Sequence, residues 1–311
     1  MGTHPRMIAE KFQPARSLQS AEMLSRPSTT FWRDAWSRFK KNKLAVTGLA
    51  VIIILTLMAF VVSPAVASIQ GHSYDYQDWD NINARPNAEY WFGTDTLGRC
   101  IFTRLWYGMR ISLLIGISAA LIDLIIGGLY GGISGLKGGA VDDVMMRIVD
   151  ILYGVPYLLV VLLLRIWLEG GVWQLILALS ITGWVGMARL VRGQVLQAKE
   201  YDYVLAARAL GAGTVRIIRR HLFPNVLGVI LVQLTLTVPA AIFAEAFLSF
   251  IGLGLPMPQA SLGTMVNDSY TLIRLHPYQL FIPALAICII MLGFNFLGDG
   301  LRDAFDPRQR H

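Results

Sequence analysis

Apolar residues dominate six stretches of the chain, at roughly 44–63, 111–133, 151–168, 172–190, 226–250 and 280–298, and polar or basic connections divide them. A membrane-spanning α-helix needs about 20 mainly apolar residues, so each stretch predicts one crossing. The third and fourth are short, and only a few residues around Glu169-Gly170-Gly171 separate them, which predicts tilted or incomplete crossings. Ahead of the first stretch, Trp32, Trp36 and Phe39 recur at i, i+4, i+7 among Arg33, Arg38, Lys40, Lys41 and Lys43. That pattern fits a helix lying in the membrane interface, or else the first turns of a long spanning helix. Residues 1–30 are polar, carry Pro5, Pro14 and Pro27, and show no periodicity, as expected of a mobile arm.

Composition agrees with this reading. Of 311 residues, 55% are hydrophobic and 15% charged, against about 25% charged in a soluble domain. The net charge of +7 does not mark a nucleic-acid binder, because the basic residues cluster beside apolar runs, where they orient a membrane protein. Residues 31–43 carry five basic side chains against Asp34 alone, and the connection 196–224 carries Lys199, Arg208, Arg216, Arg219 and Arg220 against Glu200 and Asp202. Four crossings separate these regions, so both fit the cytoplasm, with both termini inside. The first apolar run starts after more than forty residues, which argues against a cleaved signal peptide. Cys100 and Cys288 stand far apart, and His72, His221 and His276 have no partners at metal-ligand spacing. Neither a disulfide framework nor a metal site is expected.

The chain divides accordingly into an N-terminal arm and interfacial helix (1–43), a first transmembrane helix (44–63), an extracytoplasmic loop (64–110), a five-helix core (111–298) that includes the connection 196–224, and a cytoplasmic tail (299–311). The fold class is an all-α integral membrane protein with six transmembrane helices.

The connection carries the strongest functional signal, since it is far longer than two adjacent helices require. Asp202 is placed to cap a short helix on which Tyr203, Ala206, Ala207 and Leu210 share one face. Gly211 then stands where a helix end favours positive φ, and Thr214 can cap a second short helix. Pro224 lacks the N–H to continue it, so the chain turns into the next span. The prediction is a helix, a bend and a helix outside the membrane.

Ala206-Ala207, then Gly211, then His221-Leu222-Phe223-Pro224-Asn225 resemble the "EAA" loop of binding-protein-dependent ABC importer permeases. Leu205 replaces that pattern's Glu and Phe223 its Leu. Phe92-Gly93-Thr94-Asp95 with Gly98-Arg99 is similar to a signature of the peptide and nickel branch, Cys100 standing in for its last Asp. Met146-Arg147-Ile148-Val149-Asp150, the stretch 244–254, Gly298-Asp299-Gly300-Leu301-Arg302-Asp303 and Asp306-Pro307 fit the same branch, most closely its oligopeptide C-type permeases. The resemblance implies a type I importer permease in a bacterial cytoplasmic membrane, with 202–225 as its coupling loop. Its implied partners are a second permease subunit, two ATPase subunits, an extracytoplasmic binding protein and a peptide substrate; dipeptide, nickel-complex and glutathione import are alternatives. No cofactor and no catalytic residue is implied. The residues independently agree that ATP is hydrolysed elsewhere: Gly131–Gly139 is glycine-rich and holds Lys137, yet no Gly-Lys-Ser/Thr completes a phosphate loop.

Asp123 and Glu245 lie inside spans, where an ionisable group must face protein or a wet cavity. Each either lines a substrate path or hydrogen-bonds a neighbouring helix, and for Asp123 we favour the hydrogen bond. Gly127, Gly131 and Gly135 form a small-residue ridge suited to close helix packing. Asn267-Asp268-Ser269 matches a glycosylation pattern too short to carry weight. A secondary transporter driven by an ion gradient is the rival class; no internal repeat supports it, and it leaves the basic connection unexplained.

Overall fold

The computed structural model describes residues 31–305 except 169, 218, 219 and 221. The arm expected over 1–30, Arg219 and His221 of the connection, and the tail from 306 onward lie outside the described residues. Twelve α-helices follow one another among the described residues: α1 (Phe31–Lys41), α2 (Lys43–Leu57), α3 (Ser63–Gln70), α4 (Ile101–Lys137), α5 (Gly139–Tyr153), α6 (Tyr157–Trp167), α7 (Val172–Ala198), α8 (Asp202–Ala209), α9 (Thr214–Ile217), α10 (Phe223–Phe250), α11 (Leu262–Tyr270) and α12 (Pro277–Phe305).

Five described stretches are long and apolar enough to cross a membrane, led by Lys43–Ser68, in which a π turn joins α2 to α3, and followed by α4, α7, α10 and α12. A sixth crossing is available if α5 and α6 count as one span bent by 78°. The third span expected at 151–168 is therefore corrected. The helix breaks across Gly154–Pro156, where proline has no N–H and disfavours helical backbone in the residue before it. The second span also starts earlier than 111. Helix α4 has 37 residues, or about 55 Å at 1.5 Å per residue, and its first turns are buried under the preceding loop. At the N-terminus, Asn42 separates α1 from α2 by leaving helical backbone and accepting a hydrogen bond from Ala45 N at 3.2 Å. Trp32 and Trp36 are exposed on α1, while Ala35 and Phe39 are buried.

Packing fixes the helix directions. The ridge Gly127, Gly131, Gly135 meets Trp184, Ala188 and Arg192 in rising order, so α4 and α7 run parallel. A Cβ on Gly131 would come within 2.2 Å of Ala188 O, a contact only glycine permits. Conversely, Ser112 and Gly116 meet Glu245 and Ile242, so α10 runs antiparallel to α4. Gly298 and Gly300 bring α12 onto Thr235 of α10 and Ala45 of α2, and Asp303 accepts a hydrogen bond from Asn42. One end of the bundle thus gathers α1, the C-termini of α4, α7 and α12, and the α8–α9 connection. The other gathers the 71–100 loop, α11 and the N-terminus of α12.

Candidate functional site

At the first of these ends, α8 and α9 project from the bundle. Val204 is completely buried and packs with Val195, Ala198, Ile217, Leu222 and Val226, which pins α8 to the roots of α7 and α10. The remaining faces of α8 point outward: Tyr203, Leu205 and Ala206 are exposed, Ala207 is half-buried, and Leu210 is 89% exposed. Tyr203 is steadied at its hydroxyl, which accepts a hydrogen bond from Asn225 Nδ2 at 2.6 Å. The helix closes with a full Schellman pair: Ala212 N bonds Ala207 O and Gly211 N bonds Arg208 O, both at 3.0 Å. Gly211 takes φ +82°, the left-handed conformation that glycine adopts without strain. Pro224 occupies the first turn of α10, where its missing N–H leaves no bond unmade.

The structure therefore brings Tyr203, Ala206, Ala207, Leu210, Gly211 and Pro224 together in one small unit. Two local expectations are corrected. Tyr201, not Asp202, is the N-cap, and no side chain caps this helix; Asp202 instead lies in its first turn, where its charge complements the helix dipole. Leu210 is the C-cap rather than part of the helical face. Sequence reasoning missed Val204, whose burial could not be told from that of its neighbours within a single short run.

The opposite end explains a different motif. Asp95 Oδ1 accepts from the backbone of Leu97 and Arg99, each at 2.9 Å, and Oδ2 accepts from Arg99 Nε at 2.7 Å and Arg104 Nη1 at 2.9 Å. Asp268 of α11 bridges the same two arginines at 3.1 and 3.0 Å. Thr94 Oγ1 donates to Asn81 O and accepts from Ala84 N. Gly98 has φ +71°, and a Cβ there would stand 1.9 Å from Asp78 O. Asp78 in turn receives Asn81 Nδ2 and the Tyr90 hydroxyl, bonds that hold its carboxyl below the usual carboxylate range. The signature Phe92–Arg99 is thus a folding motif: it seals the loop onto α4, α11 and α12. Arg104 and Asp268, which complete it, had no sequence signal beyond being charges near apolar runs.

Within the bundle, the two intramembrane carboxylates differ. Glu245 is fully buried and held by Ser112 Oγ at 2.9 Å and Ser249 Oγ at 2.7 Å, a cross-link among α4, α10 and the start of α11. Asp123 does not make the helix-to-helix hydrogen bond favoured from sequence. Its Oδ1 is buried without a partner among the described residues, and the carboxyl group lines a cavity of about 330 Å³ between α4, α6, α7 and α10. Asp142 of α5 is paired with Arg192 through two bonds of 2.6 Å, and Asp150 with Arg189 at 2.7 Å, which fastens the bent α5 to α7.

Comparison with known proteins fits this architecture. Residues 127–311 match the model of the family described as binding-protein-dependent transport system inner membrane component. The chain belongs to that family. Residues 30–86 match a second model, the N-terminal TM domain of oligopeptide transport permease C. The dipeptide transport system permease protein DppC of Bacillus subtilis is 55% identical over 94% of this chain and 90% of its own length. The oligopeptide transport system permease protein OppC of the same organism is 51% identical, over 96% and 97%. Among solved structures, a chain of the MetNI methionine ABC transporter in an inward facing conformation superposes with a TM-score of 0.54 at 20% identity, covering 64% of this chain and 95% of that one. That likeness establishes a shared permease fold. The chain is an inner membrane component of a binding-protein-dependent transport system.

Proposed function

We propose that this permease subunit imports peptides, forming half of a translocation pathway with a second permease subunit. In this reading the chain hydrolyses no ATP. Two ATPase subunits dock from the cytoplasm under the coupling helices of the two permease subunits, α8 being this chain's, and an extracytoplasmic binding protein delivers the peptide to the other end. The observation that carries the reading is the α8 unit itself. It is pinned from behind by Val204, fixed at its end by the Schellman turn, and turns Tyr203, Ala206 and Leu210 outward beyond the spans. A rigid helix showing apolar surface outside the membrane needs a partner to cover it. Rigidity also lets it pass a push from that partner to the roots of α7 and α10. The basic residues of α1 and of 196–224 favour the cytoplasm for this end, hence for both termini. Peptides are favoured as cargo by the printed names of the relatives.

The test uses two substitutions that touch no span. Ala207→Glu adds bulk and charge to the proposed docking face, and an unpaired charge buried at an interface costs several kcal/mol, roughly a thousandfold in affinity. Gly211→Val forces a β-branched residue to positive φ. Membrane insertion should stay normal in both. Ala207→Glu should lose its ATPase subunits in a pull-down, and Gly211→Val should keep them while ATP-driven peptide uptake in proteoliposomes fails. Wild-type uptake in both variants overturns the role given to α8. The orientation is tested by cysteines introduced at Glu89 and Gly213 in wall-stripped cells: an impermeant thiol reagent should reach only the first.

A further inference from the structure

Among the buried carboxylates of the described residues, Asp123 stands apart. Asp95 and Asp142 face arginines, and serine hydroxyls hold Glu245. Asp123 is only 5% exposed, yet its Oδ1 has no hydrogen-bond partner there. Its carboxyl group sits in the gap left by Gly183, where a Cβ would come within 2.4 Å of Oδ2. The cavity it lines, about 330 Å³, falls in the range of small-ligand sites. Thr182, Gln233, Thr237 and Tyr157 share the wall, and among the described residues no Lys, Arg or His does. The Tyr157 hydroxyl is also buried without a partner among the described residues.

A carboxylate withdrawn from water demands a positive partner or a proton. Among the described residues the cavity wall offers no cation, and its polar groups are neutral hydroxyls and an amide around one acid. We propose that Asp123, with Tyr157 and Gln233, forms a cation subsite in the translocation pathway that receives the terminal ammonium group of a peptide in transit. This rests on the peptide-importer reading above. The ammonium is compact, offers three donors, and is common to unmodified peptides whatever their side chains. One carboxylate therefore fixes the end of the cargo, while the neutral wall leaves its side chains unread. Glu245 is no rival for this role, because both of its oxygens are already engaged.

The experiment measures binding of fluorescent trialanine, labelled at its C-terminus, to the permease–ATPase complex in nanodiscs without the binding protein. The same probe with an acetylated N-terminus is the comparison. The wild type should bind the free amine about tenfold or more tightly, in keeping with a desolvated charge pair. Asp123→Asn should bring the two probes within about twofold of each other while binding the acetylated one as the wild type does; Asp123→Glu should keep the preference. If Asp123→Asn loses both probes, the Glu variant decides: a kept preference supports the subsite and a lost one overturns it. A wild type with no preference, or a preference that survives in Asp123→Asn, also overturns it. ATP-driven trialanine uptake by the complete importer is measured alongside. Uptake without any amine preference removes the subsite alone, whereas no uptake at all removes the importer reading with it.

Discussion

Where α4 begins, Asp95, Arg99, Arg104 and Asp268 form a closed ion network, and Gly98 is so tightly enclosed that a Cβ would strike Asp78. About 55 Å along the same helix, at the other end, α8 is anchored by the buried Val204, its closing turn and the Tyr203–Asn225 hydrogen bond, with most of its side chains in the open. The contrast separates two kinds of requirement. The sealed end gains by having one shape, because a loop packed over helix ends must satisfy its own buried polar groups. The open end keeps its surface unsatisfied, and such a surface is completed by another molecule. In the proposed mechanism the first end is a fixed frame and the second is the handle.

Breaking the frame should have the largest effect. Asp95→Ala leaves two arginines, each 2% exposed, with Asp268 as their only carboxylate partner among the described residues. Losing one partner of a buried ion network costs about 3–5 kcal/mol. The variant should be recovered as folded protein in far smaller amount, with a clearly lower melting temperature in detergent. An unchanged melt would mean that the network is not what seals this end.

Loosening the handle should cost less and act locally. Val204→Ala removes two methyl groups from a fully buried site, worth about 1–3 kcal/mol by lost burial and cavity formation. That is enough to free α8 but not to unfold the spans. Trypsin should cut faster after the exposed Arg208, while the global melt barely moves. Equal cleavage in wild type and variant would show that Val204 is not the anchor.

The smallest effect on stability is expected at Leu210, 89% exposed, where Leu210→Ser should change stability by no more than about 0.5 kcal/mol. Retention of the ATPase subunits should nevertheless weaken by roughly tenfold, as for an apolar anchor at an interface. Lowered stability with undiminished retention would invert the proposed division between the two ends.

The two ends were not equally legible in the sequence. Gly211 and Pro224 announced the bend and the re-entry, because φ and the missing N–H are properties of single residues. The ridge of Gly127, Gly131 and Gly135 was legible for the same reason: its spacing alone prescribes a close helix contact. The second carboxylate of the Asp95 network was not, since Asp268 lies 164 residues beyond Arg104 and only the folded chain brings them together. The break at Gly154–Pro156 was hidden inside a run whose hydropathy is continuous, so apolar length alone suggested one short span, tilted or incomplete, rather than two helices bent at a break. Asp123 was misjudged because a carboxylate between helices usually finds a donor, and here the groups near it line a cavity instead.

The central claim is that α8 is the surface through which ATPase subunits act on the bundle, and hydrogen–deuterium exchange tests it most directly. The permease pair would be measured in nanodiscs alone and with its ATPase subunits bound. Amides of residues 202–213 should exchange readily in the free permease and become protected on ATPase binding, while those of 78–100 keep the same slow exchange throughout. Protection that falls elsewhere and leaves 202–213 unchanged would contradict the account.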